Sequence, residues 1–301
     1  KRACMPAASI HVPVLLEEVV EWLRPAPGMT IVDGTLGGGG HARVLAERVG
    51  QEGRILAFDL DPAAIARAEE TLAGLPLLVA NRSYCELPET LAEAGLDAVD
   101  GIVLDLGLSS DQLADDERGF SYFSEGELDL RFDPDRGEPA WRLLERLSEE
   151  SLADLIFQYG EERCSRRIAR QIVERRRARQ PVRTATELAE LVRRCVPRGR
   201  GHQIDPATRS FQALRIAVNG ELDAVEQALA KLPDCLRSGG RLAIISFHSL
   251  EDRLVKNAFR NDSRLNVLTR RPVVAGDDEV ARNPRARSAK LRVAERVAQS
   301  S

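Results

Sequence analysis

The run Val32-Asp33-Gly34-Thr35-Leu36-Gly37-Gly38-Gly39-Gly40-His41 decides the fold. It ends an apolar segment, residues 29–33, that reads as a strand, and it opens a helical pattern at residues 41–49. Glycines at a strand-to-helix turn let the backbone bend sharply and approach a ligand without a Cβ in the way. The first N–H groups of the helix face the same ligand. Outward from this turn the alternation continues. Residues 54–59, 75–80 and 101–106 read as strands, and 62–72 and 87–94 as helices. Continuous apolar strands between helices predict a parallel sheet covered on both faces. Right-handed crossovers then make it doubly wound.

Past Leu113 the pattern changes to helices at 143–147, 152–159, 168–177 and 188–196, punctuated by Pro181 and Pro197. A long helical region at 210–232 precedes a fifth strand at 240–247, and segments 265–270 and 290–295 are candidates to complete the sheet. The expected organisation is an α/β domain, residues 1–112 and 206–301, split by an inserted helical domain, residues 113–205.

Asp59 ends the second strand about 20 residues beyond the glycine run, where a carboxylate accepts hydrogen bonds from the ribose hydroxyls of an adenosine. A dinucleotide site calls for GxGxxG with its pyrophosphate on the helix end. Here the run is an unbroken GGGG preceded by Asp33. An acid beside the loop repels a pyrophosphate and suits a cationic sulfonium, which favours S-adenosylmethionine over NAD. Asp105 closes the fourth strand, where open α/β sheets bind their ligands. A carboxylate there accepts protons from an exocyclic amine, so Asp105 is the candidate amine-orienting group. No metal is called for.

The totals agree with a reduced, cytosolic enzyme. Five cysteines lie far apart with no CxxC spacing, which argues against a disulfide framework or a cysteine zinc site. Residues 1–9 carry no signal-peptide core. The formal net charge is −4, so a basic face has to be local. Residues 163–200 hold thirteen arginines against three acids, a concentration that suits phosphate contacts. Residues 282–296 are a second basic stretch, equally readable as edge-strand charge.

The ordered motifs HVPVLL (11–16), DGTLGGGGH (33–41), DLDP (59–62), LDLGLSSDQL (104–113), RGFSY (118–122), LDLRFDP (128–134), YGEER (159–163), ATRSFQALRIAVNGEL (207–222), ISFHSLEDR (245–253) and NPRARSAKLR (283–292) resemble the bacterial 16S rRNA (cytosine-1402)-N4-methyltransferase family, MraW or RsmH. The resemblance implies a class I, Rossmann-like, S-adenosylmethionine-dependent methyltransferase with an inserted helical substrate-recognition domain. It implies cofactor contacts from Gly39, Gly40, His41, Asp59, Tyr84, Asp105 and Gln112. Its implied substrate is 16S rRNA in the small ribosomal subunit; a homodimer is left open. Tyr84 stands where the family commonly has Phe, and keeps the flat apolar face.

Many enzymes that methylate exocyclic amines carry (Asp/Asn/Ser)-Pro-Pro-aromatic after the fourth strand. Here Asp-Leu-Gly-Leu-Ser-Ser follows, so the aromatic that stacks the target base comes from elsewhere: Phe120, Tyr122 or Phe247. His248 reads as a helix-capping scaffold residue or as a substrate contact, and His41 as a shape-defining residue.

Overall fold

In the computed structural model, which describes residues 13–197 and 205–298, the glycine run lies where the sheet changes winding direction. A short helix, α1 (Leu16–Leu23), precedes it. Then come β1 (Thr30–Asp33), α2 (Gly40–Val49), β2 (Arg54–Phe58), α3 (Pro62–Thr71), β3 (Leu77–Ala80), α4 (Leu87–Glu93) and β4 (Val99–Asp105). The chain continues through α5 (Ser110–Ala114), α6 (Ala140–Arg146), α7 (Glu149–Gly160), α8 (Ser165–Arg177), α9 (Ala185–Cys195), α10 (Thr208–Asn219) and α11 (Glu221–Cys235). It closes with β5 (Leu236–Ser246), α12 (Ser249–Asn261), β6 (Leu265–Val267), α13 (Asp277–Arg282) and β7 (Lys290–Arg296).

Contacts divide the chain into two compact units, residues 1–110 with 223–301 and residues 111–222. The first holds a seven-stranded sheet of order β3-β2-β1-β4-β5-β7-β6. Strands β1 to β5 are parallel, and β7 runs antiparallel to both β5 and β6. This is the Rossmann-like α/β architecture that the sequence led us to expect. One face of the sheet is covered from α1, α2 and α3, through Val19, Leu23, Leu45, Val49 and Leu72. The other is covered from α4, α11 and α12, through Leu87, Leu91, Leu229, Leu232, Val255 and Phe259. Helices on both faces leave β1 and β4 buried along nearly their whole length, with apolar residues at their centres, Ile31-Val32 and Ile102-Val103-Leu104.

The second unit is helical. Helix α7 packs against α8 and α10, so this unit extends through α10 to Leu222, beyond the residue 205 at which the sequence reading closed the insertion. The helical region expected over 210–232 consists of two helices, α10 and α11. Gly220, at φ 60°, ends α10 and lets α11 start in a new direction.

Much of the arginine content of this unit holds the unit itself together. The Arg176 guanidinium donates to the carbonyls of Leu144 at 3.1 Å and Leu147 at 2.8 Å, and also to Glu145, closing the carboxyl end of α6. Arg193 holds Asp205 through both Nε and Nη2. Arg183 pairs with Glu145 and lies 3.9 Å from the centroid of the Trp141 ring. Arg175 pairs with Glu187. The expectation that the whole stretch forms a phosphate-binding face is therefore too broad. Arg163, Arg166, Arg167, Arg170, Arg177, Arg179 and Arg194 are the exposed ones. Arg198 and Arg200, like His11 and Val12 of the first family motif, lie outside the described residues.

Among the described residues, no helix is long and apolar enough to cross a membrane. Cys85, Cys164, Cys195 and Cys235 are free thiols.

Replacing Arg176 with Ala strips three carbonyls of a charged donor and is expected to destabilise the protein by about 2 kcal/mol. Arg177→Ala, at an exposed neighbour, should leave stability within about 0.5 kcal/mol. Equilibrium denaturation followed by circular dichroism makes the comparison.

Candidate active site

Three acids close three neighbouring strands. Asp33 is the last residue of β1 and pairs in register with Ala57 of β2 and Val103 of β4. Asp59 follows β2, and Asp105 ends β4. The order of the sheet reverses between β1 and β4, which opens a crevice at their carboxyl ends. Backbone bonds fix the edges of this crevice: Gly34 N donates to Val103 O at 2.9 Å, and Leu36 N to Phe58 O at 2.8 Å. The Asp105 N–H donates to Thr35 Oγ1 at 2.6 Å, tying the first loop to the fourth strand.

The glycine run is shaped by close approach. Gly39 caps α2 at φ 74°, a left-handed conformation that penalises any side chain. At Gly40, a Cβ would lie 2.9 Å from the ring of Pro13. The loop is pinned from the far side by Asp59. Its Oδ2 accepts from Gly37 N at 2.7 Å and its Oδ1 from Asp61 N at 2.9 Å. Each carboxylate oxygen has a further lone pair, so Asp59 keeps acceptor capacity for a pair of hydroxyls. Burial raises its pKa from the ordinary carboxylate value, and these two backbone bonds oppose that shift.

Asp33 is the most confined of the three acids. It is 1% exposed. Its Oδ1 accepts from Thr35 N at 3.1 Å, whereas Oδ2 has no hydrogen-bond partner among the described residues. Burial pushes its pKa up to about 6; His41 and the Thr35 bond pull it down, and Asp105 and Asp59 add to the rise.

His41 is 4% exposed, with Nε2 3.0 Å from Val14 O. A carbonyl only accepts, so Nε2 carries the hydrogen, and Nδ1 is the atom that lies 4.0 Å from Asp105 Oδ2. This is a shaping role. Tyr84 starts a 3-10 turn capped by Ser83, and its Cβ lies against Gly34. Gln112 lies on α5, within the helical unit. Gly39, Gly40, His41, Asp59, Tyr84 and Asp105 thus all belong to the sheet-bearing unit, on or beside the loops after β1, β2, β3 and β4.

The structure assigns His248 to scaffold work. It caps α12, with Nδ1 accepting from Glu251 N at 3.3 Å and Nε2 3.0 Å from Glu251 Oε1. The buried Glu251 carboxylate in turn accepts from Phe247 N at 2.8 Å. Three neighbours of the site were not singled out in the sequence. Thr35 needed only its place after a strand-end acid. Glu251 had the signal of a capping box three residues past His248. Arg285 was read only as part of a basic stretch, equally a second patch or edge-strand charge; its Nη1 donates to Ser110 Oγ at 3.0 Å, at the start of α5. Burial lowers the pKa of this guanidinium, and the Asp105 charge opposes that shift. Further along the tail, Arg292 and Lys290 pair with Asp252, and Arg296 with Asp234, whereas Arg282 and Arg287 are exposed.

Three acids, one with an unpartnered oxygen, suit a ligand that brings positive charge and hydroxyl groups. They oppose a pyrophosphate, whose charge would add to theirs.

The MraW methylase family matches residues 8–297 of the chain. A ribosomal RNA small subunit methyltransferase H of Rhodopirellula baltica is 52% identical over 303 residues, covering 97% of this chain and 93% of that protein. The protein of the same name from Deinococcus deserti is 52% identical over 289 residues, covering 96% and 94%. That of Thermomicrobium roseum is 48% identical over 313 residues, covering 97% and 95%.

The Asp33 pKa of about 6, above the ordinary carboxylate value, means that between about pH 4 and 6 the ligand-free fold holds a proton that the unfolded chain has released. Stability from this group is therefore complete below pH 4 and lost as pH rises through about 6. Asp33→Asn should melt at the same temperature as wild type near pH 4 and at a higher one at pH 8. Thermal unfolding across that range, without cofactor, reads the difference.

Proposed function

The chain belongs to the MraW methylase family, and we propose that it transfers a methyl group from S-adenosylmethionine to the N4 amine of cytosine 1402 of 16S rRNA, in the small ribosomal subunit and in the cytoplasm. The observation that carries the reading is the trio Asp33, Asp59 and Asp105 around the glycine loop. Asp59 accepts the ribose hydroxyls. Tyr84 offers its ring to the adenine. Gly39 and Gly40 bring bare backbone and the start of α2 to the amino-acid end, and His41 holds their loop in shape. Asp33 offsets the positive charge of the ligand.

When bound, the cofactor supplies an electrophilic methyl, delivered to an amine lone pair as the bond to sulfur breaks. What the chain contributes is position and charge. Asp105 accepts an N–H from the exocyclic amine and aims the nitrogen. Its carboxylate also favours the positive charge that nitrogen acquires, until a proton is lost to water. His41 is not placed as a base, since its proton-bearing Nε2 faces Val14 O.

The helical unit is the surface for the RNA. The exposed arginines Arg163, Arg166, Arg167, Arg170 and Arg177 lie on or next to α8, and phosphate contacts supply affinity that is largely blind to sequence. The target base leaves its stack to react.

Labelled S-adenosylmethionine with small subunits from a strain lacking the modification should give one N4-methylcytidine by mass spectrometry. Incorporation elsewhere, or NAD binding in place of S-adenosylhomocysteine, would sink the reading. Asp59→Ala should weaken S-adenosylhomocysteine by about 100-fold, two charge-assisted bonds being worth about 3 kcal/mol together. Arg166→Ala with Arg177→Ala should leave that affinity unchanged. The pair should raise KM for the subunit and flatten its salt dependence by about one unit of slope per lost phosphate contact.

A further inference from the structure

A base lifted out of RNA is held by stacking on a flat side chain, and the loop after Asp105 contains no aromatic residue. Two of the three sequence candidates have their rings engaged. Phe120 is 4% exposed and stacks on Phe132 at 6.1 Å between centroids. Tyr122 meets Phe211 edge-on at 4.9 Å and donates its hydroxyl to Thr208 Oγ1 at 3.0 Å. In the sheet-bearing unit the aromatics are Trp22, Phe58, Tyr84, Phe247 and Phe259. Phe58 and Phe259 are fully buried. Trp22 belongs to the end of α1, whose Leu23 packs on Gly101 toward the start of β4. Tyr84 lies on the β1 side of the crevice, against Gly34.

Phe247 lies on the other side. Strand β5 pairs Ile245 with Asp105, and Leu106 N donates to Ile245 O at 3.0 Å. This registers the loop after β4 against the residues that leave β5. A Cβ at Gly107 would lie 2.7 Å from Phe247 Cε2, 2.8 Å from Cζ and 3.0 Å from Asp105 Oδ1. The ring therefore meets Gly107 through Cε2 and Cζ, immediately beside the carboxylate, and it also packs against the core on that side of the sheet. It is half-buried. Its backbone is clamped by Glu251, which is 1% exposed. A fixed, half-exposed aromatic is thus delivered next to Asp105 from the neighbouring strand, and Gly107 is the residue that makes room for it.

We propose that Phe247 is the stacking wall of the target-base site, taking a pyrimidine with an exocyclic amine on its face while Asp105 receives the amine hydrogen. The inference rests on the methyl-transfer reading and assigns the base subsite within it. Stacking is worth about 1–3 kcal/mol per base, or roughly 5- to 150-fold.

The test compares wild type, Phe247→Leu, Phe247→Tyr, Gly107→Ala and the double variant Gly107→Ala with Phe247→Leu. Each is assayed for methyl transfer to unmodified small subunits and for S-adenosylhomocysteine affinity by calorimetry. Phe247→Leu is expected to lose at least about 10-fold in kcat, with KM for the subunit and product affinity within about threefold of wild type, because affinity for the RNA comes from phosphates. Phe247→Tyr, with its flat ring, should stay within about threefold throughout. Gly107→Ala should displace the ring and lose a similar factor. The double variant should lose less than the product of the two single losses, since both changes disturb the same ring. Wild-type turnover in Phe247→Leu, full activity in the double variant, or a loss of product affinity equal to the loss of activity would overturn the assignment. A wild-type protein that methylates no cytosine would overturn the methyl-transfer reading, and this inference with it.

Discussion

Like charges held close at the carboxyl ends of adjacent strands set the terms for everything else in the sheet-bearing unit. Asp59 and Asp105 raise the cost of ionising Asp33, which is buried with one oxygen unpartnered among the described residues. Such an arrangement persists only where surrounding structure over-determines it. Here Thr35 supplies its N–H to Asp33 and its hydroxyl to the Asp105 backbone. Gly37 and Asp61 each give a backbone N–H to Asp59. The glycine run then follows from the need to bring backbone donors close to carboxylates, as much as from any need to approach a ligand. The free energy stored in three confined acids is available to whatever cation enters among them.

This part of the molecule was legible because each signal had one physical meaning. Apolar runs flanked by helical periodicity placed β1, β2 and β4 to within a few residues, and an acid at the end of each run placed Asp33, Asp59 and Asp105 together. Other features were hidden for identifiable reasons. The direction of β7 is not written in its composition, since a buried strand reads the same either way. The break at Gly220 sits in an otherwise continuous helical pattern, where one glycine is a weak signal. The arginine-rich stretch misled because a count of charge does not say what the charge faces. Arg176 spends its donors on the end of a neighbouring helix and Arg193 on Asp205, contacts that only the packing of the helical unit discloses. Phe120, Tyr122 and Phe247 were equivalent as letters and separated only once ring contacts were known.

The two loops on either side of Asp105 divide the labour. On the β1 side, Tyr84 lies against Gly34 and the acids face the glycine run. On the β5 side, Phe247 abuts Gly107 and Arg285 reaches Ser110. Both aromatic residues sit beside glycines: a Cβ at Gly107 would meet the Phe247 ring, whereas one at Gly34 would meet Leu104 and the Tyr84 Cβ. A missing Cβ thus seats the Phe247 ring next to a strand end. The motif Asp-Leu-Gly reads accordingly: the carboxylate is kept, and the aromatic of related amine-methylating loops is supplied from a neighbouring strand.

The position of β7 bears on how the chain comes to be folded. It is made after β6 yet lies between β5 and β6. While ribosomes are still translating residues 265–289, the edge of β5 has no neighbour, and β6 has nothing to pair with. Exposed strand edges invite pairing with other chains, and domains emerging in order spend seconds in such states. Nascent copies crowded on one messenger therefore carry a transient adhesive margin, closed only when β7 slots in antiparallel. The order in which the strands are made, rather than any weakness of the finished sheet, is where this topology leaves the chain open to its neighbours.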